Sequence, residues 1–405
     1  APLTIFIGKN SLGKSMLLYL IWVLEKILPD IDELLRLVKE MGGQDLAEKC
    51  FDAIKGGDDV DFLLRQLIIT FLKAFPAAWA KMLKKSLHKA LGIDIKWLVH
   101  VNSPFSRIVI NGRGAEIELI IRGDEILADW RRLDDDIIEN VSINIEKGLL
   151  HLSFMKRSIS GYVESATDII YATIRFLWNV LYGLFGELAG GFERKKDLLV
   201  DSRAGAERIL LPSSPVITLA LEEILLPDYE FTVLLHRLAR DYIHGDVDLK
   251  APALHIILEE LGFRPDIHEE FGIPKIYIKS WTGTALPLER APSGIRETMP
   301  VMLALLSRNT SITYVEEPEA HLHPKAVRLV PRLIAYAVNE LGKHVRITTH
   351  SDILISQINN LIAMSADPEG ARELGYEPSE LLKPEQVRAY WLRRADGYVE
   401  VVELP

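Results

Sequence analysis

Cysteine is nearly absent: Cys50 is the only one in 405 residues. A lone thiol excludes an internal disulfide framework and fits a reducing, intracellular compartment, so a cytoplasmic protein is expected. Glutamine is scarce as well, at four residues, while 26% of the chain is charged, a composition in line with a thermophilic source. Positive charge is in deficit. Lys and Arg number 47 against 57 Asp and Glu, a net charge of −10, which argues against broad coating by nucleic acid or an anionic membrane but not against a local basic patch. No clean membrane span is visible. The most apolar stretch, DIIYATIRFLWNVLYGLFGEL (168–188), is interrupted by Asp168, Arg175, Asn179 and Glu187, and Arg175 would lie near the centre of any span, where a charge is expensive. It reads as a core or dimer-interface helix, with membrane contact not expected. The first residues lack the positive region of a signal peptide. The chain opens almost inside a strand, with no sheet neighbour before it, so some N-terminal strands are expected to be missing.

What is present begins at that opening. Leu3–Ile7 is an apolar strand, and Gly8-Lys9-Asn10-Ser11-Leu12-Gly13-Lys14-Ser15 then matches the phosphate-binding pattern G-x-x-x-x-G-K-[ST] in full, ahead of an apolar helix from Met16. Glycines let the backbone bend so that amide N–H groups face phosphates, and the helix N-terminus adds its positive dipole. Lys14 is placed to reach the β and γ phosphates, and the Ser15 hydroxyl to ligate magnesium. A glycine turn before a core helix is the bland alternative.

Five segments follow from pattern and punctuation: 1–29 starts a nucleotide-binding core, 30–100 is a helical insertion, 101–160 an antiparallel β subdomain, 161–198 an apolar helical segment, and 199–405 the remainder of the core. Asp30 can cap the helix IDELLRLVKEM, whose Ile31, Leu34, Leu35 and Val38 share a face. Lys81, Lys84, Lys85 and His88 fall on one side at helical spacing, a solvated face by default and a contact to a DNA backbone as the sharper reading. RIVINGRGAEIELII alternates and turns at Asn111-Gly112.

The sequence ITYVEEPEAHLHP (312–324) sets Glu316, Glu317, Glu319, His321 and His323 directly behind a strand. His-x-His beside carboxylates could ligate zinc. The other reading is a Walker B strand, in which Glu316 orders the magnesium shell and Glu317 polarises the attacking water. VRITTHS (345–351) is another strand with His350 at its tip, and Ser293-Gly294 opens a helix that is a second anion site.

In this order the motifs resemble ABC-type ATPase heads of the SMC and RecF-like group. They are nearest to stand-alone AAA-family ATPases related to the ATPase part of overcoming-lysogenization-defect (OLD) nucleases. GKNSLGKS looks like the Walker A, PSGIRE the signature helix, YVEEPEAHLHP the extended Walker B and D-loop, and TTHSDIL the histidine switch. The resemblance implies an α/β P-loop NTPase with a mixed central sheet, an antiparallel β subdomain and helical insertions. It implies ATP and Mg2+ as cofactors and a head-to-head homodimer in which Ser293 and Gly294 bind the γ-phosphate held by the other subunit. Glu317 is then the general base and His350 a γ-phosphate contact; Arg203, in LVDSRAGAERIL (199–210), is a weaker site candidate. Glu319, His321 and His323 are expected in the turn after Pro318, where they cap, hydrogen-bond and meet the partner subunit.

Three departures stand out. Glu316 replaces the aspartate of many members, moving its carboxylate out by one methylene, and a shift near 1 Å can cost about a hundredfold in rate if uncompensated. The signature lacks its full Leu-Ser-Gly-Gly-Gln form, and no Q-loop glutamine can be assigned. About 55 residues follow His350, closing on the hairpin VRAYWLRRADGYVEVVEL, too few for a built-in nuclease domain. Three functions stay open: an ATP-driven dimerising engine acting on DNA or on a partner nuclease or effector protein, an ATP-gated scaffold with negligible turnover, and a small-molecule kinase.

Overall fold

The apolar pentapeptide Leu3–Ile7 forms β1, and the helix Lys14–Lys26 (α1) follows the loop after it. Both edges of β1 are occupied, by strands from the far end of the sequence. The neighbours that the opening seemed to lack are therefore supplied by the C-terminal part. The computed structural model describes residues 1–26, 29–100, 102–146, 148–185, 196–201, 203, 226–396 and 398–405. Two units divide the chain, Ala1–Trp22 with Arg194–Pro405, and Val23–Glu193.

The second unit holds the helices Ile31–Glu40 (α2), Gly43–Gly56 (α3) and Asp61–Leu91 (α4). The Asp30 side chain caps α2, accepting from the Glu33 amide at 3.1 Å. Strands β2 (Ser106–Asn111), β3 (Ala115–Arg122) and β4 (Glu125–Leu133) make one antiparallel sheet. Strands β5 (Val141–Glu146), β6 (Leu149–Phe154) and β7 (Arg157–Tyr162) make another. The link between β2 and β3 is longer than a turn at Asn111-Gly112. Asn111 pairs with Glu116, and residues 112–114 form the loop, where the Arg113 amide is drawn to the Leu184 carbonyl at 2.6 Å. The apolar stretch forms the helix Ala166–Phe185, with Ile169, Phe176, Leu177, Val180, Leu181 and Leu184 buried. Residues 186–188 lie outside the described residues. Aromatic rings fill this core: Phe75 stacks on Trp79 at 5.9 Å and meets Trp178 edge-on at 6.2 Å, and the Trp130 indole N–H is satisfied by the Leu72 carbonyl at 2.6 Å. One described helix, α4, is long and apolar enough to cross a membrane by length and composition, and most of its apolar window is buried inside the protein. Lys81 on α4 is ion-paired with Glu33 at 2.7 Å, whereas Lys84 and Lys85 are exposed.

The first unit is built on a six-stranded sheet. Its further strands are β8 (Lys196–Leu199), β12 (Ile312–Glu316), β13 (His344–Thr349), β14 (Val387–Arg394) and β15 (Val399–Glu403), in the order β15-β14-β1-β13-β12-β8. All pairs are parallel except β14–β15. Parallel strands are covered on both faces, which is why LTIFI and ITYVE read as continuous apolar runs rather than alternating ones. A separate antiparallel sheet joins β9 (Phe263–Glu270), β10 (Ile273–Ser280) and β11 (Ala285–Pro287). With parallel and antiparallel pairs in one sheet and a phosphate loop on its central strand, the fold is that of an α/β P-loop NTPase.

Candidate nucleotide-binding site

Register brings the motifs to one edge. Ile7 pairs with Thr349, and Glu316 pairs with Thr348. The loop 8–15, the acids Glu316 and Glu317, and His350 therefore leave the carboxyl ends of β1, β12 and β13 within a residue of one another. Ligands of open parallel sheets bind at that edge. β13 lies between β1 and β12, which sets its tip between phosphate loop and acids.

The loop has the strained backbone of an anion cradle. Gly13 sits at φ +76° and Ser11 at +65°, left-handed conformations that cost a residue with a Cβ. Lys14 opens α1, is nearly buried, and turns its ammonium to the Lys9 carbonyl at 3.1 Å. Lys9, Asn10 and Ser11 are exposed, and Leu12, Gly13 and Ser15 half-buried. Gly8, Lys9 and Asn10 border an open pocket of about 460 Å³ together with Ile7, His350, Asp352 and Trp391.

The Glu316 carboxylate is fixed at the buried end of β12. One oxygen, Oε2, accepts from the Tyr19 hydroxyl and from the Asp201 amide at 2.8 Å. The extra methylene relative to aspartate is thus anchored by two donors rather than left to swing. Burial first, and then the Glu316 charge, push the Tyr19 hydroxyl far above the usual phenol range, so Tyr19 stays a proton donor to the carboxylate. Burial and Glu316 also raise Asp228. Ser15 and the other Glu316 oxygen are hard oxygen donors, the type magnesium takes while keeping waters and phosphate oxygens in its shell. The residues present fit that ion.

Glu317 adopts φ +39°, an uncommon conformation for a non-glycine residue. It is held there from several sides. Its amide donates to the Thr348 carbonyl at 3.0 Å, and its carbonyl accepts from Arg203 at 3.2 Å. Arg203 is fully buried and spends its guanidinium on the Val200 carbonyl (2.7 Å), the Glu316 carbonyl (2.8 Å) and the Glu297 carbonyl (3.0 Å), with the Glu297 carboxylate also at 3.0 Å. Glu297 belongs to the helix Ser293–Leu306. Arg203 therefore joins the acid-bearing strand end to the helix that carries Ser293 and Gly294. The sequence marked Arg203 as a weaker site candidate; a fully buried guanidinium with these partners is a brace beneath the site. Residues 204–210 of that segment lie outside the described residues.

His350 and Glu317 meet directly, with His350 Nδ1 at 2.9 Å from Glu317 Oε1. Ser293 and Gly294 open their helix half-buried, and no residue of that helix lines the pocket at the phosphate loop. A Cβ on Gly294 would stand 2.9 Å from the His321 carbonyl, so glycine lets this helix approach the turn after β12. In that turn, Glu319 is buried and bonded to the Thr349 hydroxyl. His321 is exposed at φ +59°, and exposed His323 caps the short helix Pro324–Val327, accepting from the Lys325 amide at 3.4 Å. Among the described residues no three His, Cys, Asp or Glu side chains are grouped to hold a metal ion.

Sequence reasoning missed Tyr19, Asp201 and Thr349. Tyr19 was within reach of it, because it lies four residues after Ser15 and so shares a face of α1. Nothing in sequence links Asp201 or Thr349 to these acids.

Fold and site define a P-loop NTPase whose motifs run in the order of ABC/SMC-type heads. Residues 204–356 match the model of a family described as "AAA domain, putative AbiEii toxin, Type IV TA system". Similar solved structures include an SMC head bound to the C-terminal winged-helix domain of ScpA, at 12% identity and TM-score 0.37, covering 99% of this chain and 89% of that one. Another is an SMC head with an extended coiled coil bound to the C-terminal domain of ScpA, from Pyrococcus furiosus (12%, TM-score 0.36, 99% and 89%). A third is the SMC head domain from Thermotoga maritima (10%, TM-score 0.31, 100% and 90%). No curated protein matches the chain.

Proposed function

We propose that this chain is a magnesium-dependent ATPase of the ABC/SMC type that dimerises around ATP and transmits the resulting motion to DNA or to a partner nuclease or effector protein in the cytoplasm. The observation that carries the reading is the meeting of phosphate loop, acid pair and His350 at one sheet edge, with the Glu317–His350 contact at 2.9 Å. Gly8, Lys9, Asn10, Ser11, Leu12 and Gly13 wrap the phosphates with backbone amides. Lys14 supplies a point charge, and Ser15 and Glu316 hold magnesium, which neutralises phosphate charge when bound. Glu317 accepts a proton from water as the water oxygen bonds to the γ-phosphorus, ADP leaves with the electron pair of the broken bond, and His350 steadies the γ-phosphate. Ser293 and Gly294 lie outside the pocket at their own phosphate loop, which supports their use by a second copy. The kinship to OLD-type ATPases rests on the motifs alone.

An ATP-gated scaffold with negligible turnover is favoured only by Glu316 in place of aspartate. Steady-state phosphate release with and without DNA separates the two. Turnover abolished in Glu317→Gln supports the engine, whereas tight ATP binding with no release by the wild type replaces it with the scaffold.

A further inference from the structure

Two side-chain bonds cross from the turn after β12 to the tip of β13. The first joins Glu317 to His350, which lines the pocket, and its two side chains are 22% and 47% exposed. The second joins Glu319 to Thr349 and is buried, with Glu319 at 7% exposure and Thr349 at 0%. Thr349 Oγ1 donates to Glu319 Oε1 and accepts from the Ser351 amide at 2.9 Å. The hydroxyl thus ties down the residues on both sides of His350. Ser351 in turn caps the helix Asp352–Met364, accepting from the Leu354 amide at 3.3 Å. In the turn after β12, the Glu317 carbonyl accepts from the Ala320 amide at 2.9 Å and the Glu319 carbonyl from the Leu322 amide at 3.1 Å.

We infer that Glu319 is a positioning residue for hydrolysis: through Thr349 and Ser351 it sets His350 against Glu317. The inference rests on the ATPase reading for its catalytic meaning, but not for its geometry. A brace has to survive while the exposed pair lets go of each other to engage water and phosphate, and a buried bond two residues along the same turn does so. A surface turn residue would not need burial, and Glu319 Oε2 has no hydrogen-bond partner among the described residues, a costly arrangement for an ionised carboxylate. Burial, which outweighs the Thr349 hydrogen bond, pushes the Glu319 carboxyl upward toward its neutral form. A neutral amide of the same shape should therefore serve in its place.

The test uses the full chain and two readouts. In steady-state phosphate release, Glu319→Ala should lower kcat about a hundredfold, the scale of a 1 Å misplacement. KM should stay within about twofold, because the phosphate-loop contacts, which supply most of the nucleotide binding, are untouched and only the His350 contact shifts. Glu319→Gln should recover most of the loss. In nucleotide-free protein labelled on histidine nitrogen, the His350 signal, assigned with His350→Gln, should move toward its position in Glu317→Ala when Glu319 becomes Ala or Thr349 becomes Val. It should stay in place in Glu319→Gln. A wild-type kcat and an unmoved His350 signal in Glu319→Ala would overturn the inference, as would a Gln variant as impaired as the Ala one. If wild-type protein releases no phosphate, the ATPase reading fails while the histidine signal still decides the placement. If Glu319→Ala does not fold, Thr349→Val and Glu319→Gln decide it by the same two readouts.

Discussion

Replacing Arg203 by alanine should unsettle the site from beneath while leaving every proposed nucleotide contact in place. The wild-type guanidinium is fully buried and serves four carbonyls, those of Val200, Glu297, Glu316 and Glu317, and the Glu297 carboxylate, itself 1% exposed. Removing one member of a buried ion pair leaves an uncompensated charge and costs about 4 kcal/mol. That is a large part of the roughly 5–15 kcal/mol that keeps a domain folded. For a unit of this size the melting temperature should fall by about 10 °C. Calorimetry or thermal circular dichroism reads it directly. The double variant Arg203→Met with Glu297→Met should recover part of the loss, since it removes the stranded charge along with its partner. A melting temperature for Arg203→Ala within about 2 °C of wild type would refute the brace, because no buried pair of this kind is lost so cheaply. Full additivity in the double variant would refute the pairing with Glu297.

The phosphate loop and the acid pair were legible because each is a local signature: strand, loop and helix in Leu3–Leu24, and strand, acid and proline in Ile312–Pro318. Sheet order was not. β1 is paired with β13 and β14, whose residues lie more than three hundred positions away, and no local pattern encodes such a pairing. The same limit hid the buried bonds. Glu319 reads as one more acid in a polar turn, and only the fold sets it against Thr349. Arg203 reads only as a weaker site candidate, and only burial shows that its donors are already spent. Glu316 was legible as a departure, but its compensation by Tyr19 and Asp201 depends on three segments meeting. Sequence shows groups that chemistry requires at fixed spacing; what holds those groups is set by packing.

Lys14→Ala should abolish ATP binding with an unchanged circular dichroism spectrum, since the lysine acts as a point charge on the phosphates; unchanged affinity in a binding titration would remove the Walker A assignment. Lys343 is buried, donates to the Ala304 carbonyl at 2.5 Å, and is pushed down to about 7 by burial. Its folded value then lies below the unfolded one of about 10.4, so the unfolded chain holds the extra proton between these values and stability rises with pH across that window. Urea titrations from pH 7 to 10 should show that rise in wild type and a flattened profile in Lys343→Met; equal slopes would contradict it. Glu317→Gln should keep nucleotide and magnesium contacts but lose proton acceptance, so hydrolysis falls while binding survives. If two heads share each ATP, blocked hydrolysis should also trap them, and light scattering with ATP and magnesium should report a species of roughly twice the monomer's 45.7 kDa. Adding Ser293→Arg should release the trap, because a bulky cation at the helix start obstructs the γ-phosphate presented by the second subunit. Wild-type hydrolysis in Glu317→Gln would end the catalytic role; a trapped dimer indifferent to Ser293→Arg would leave that role standing and refute the shared site.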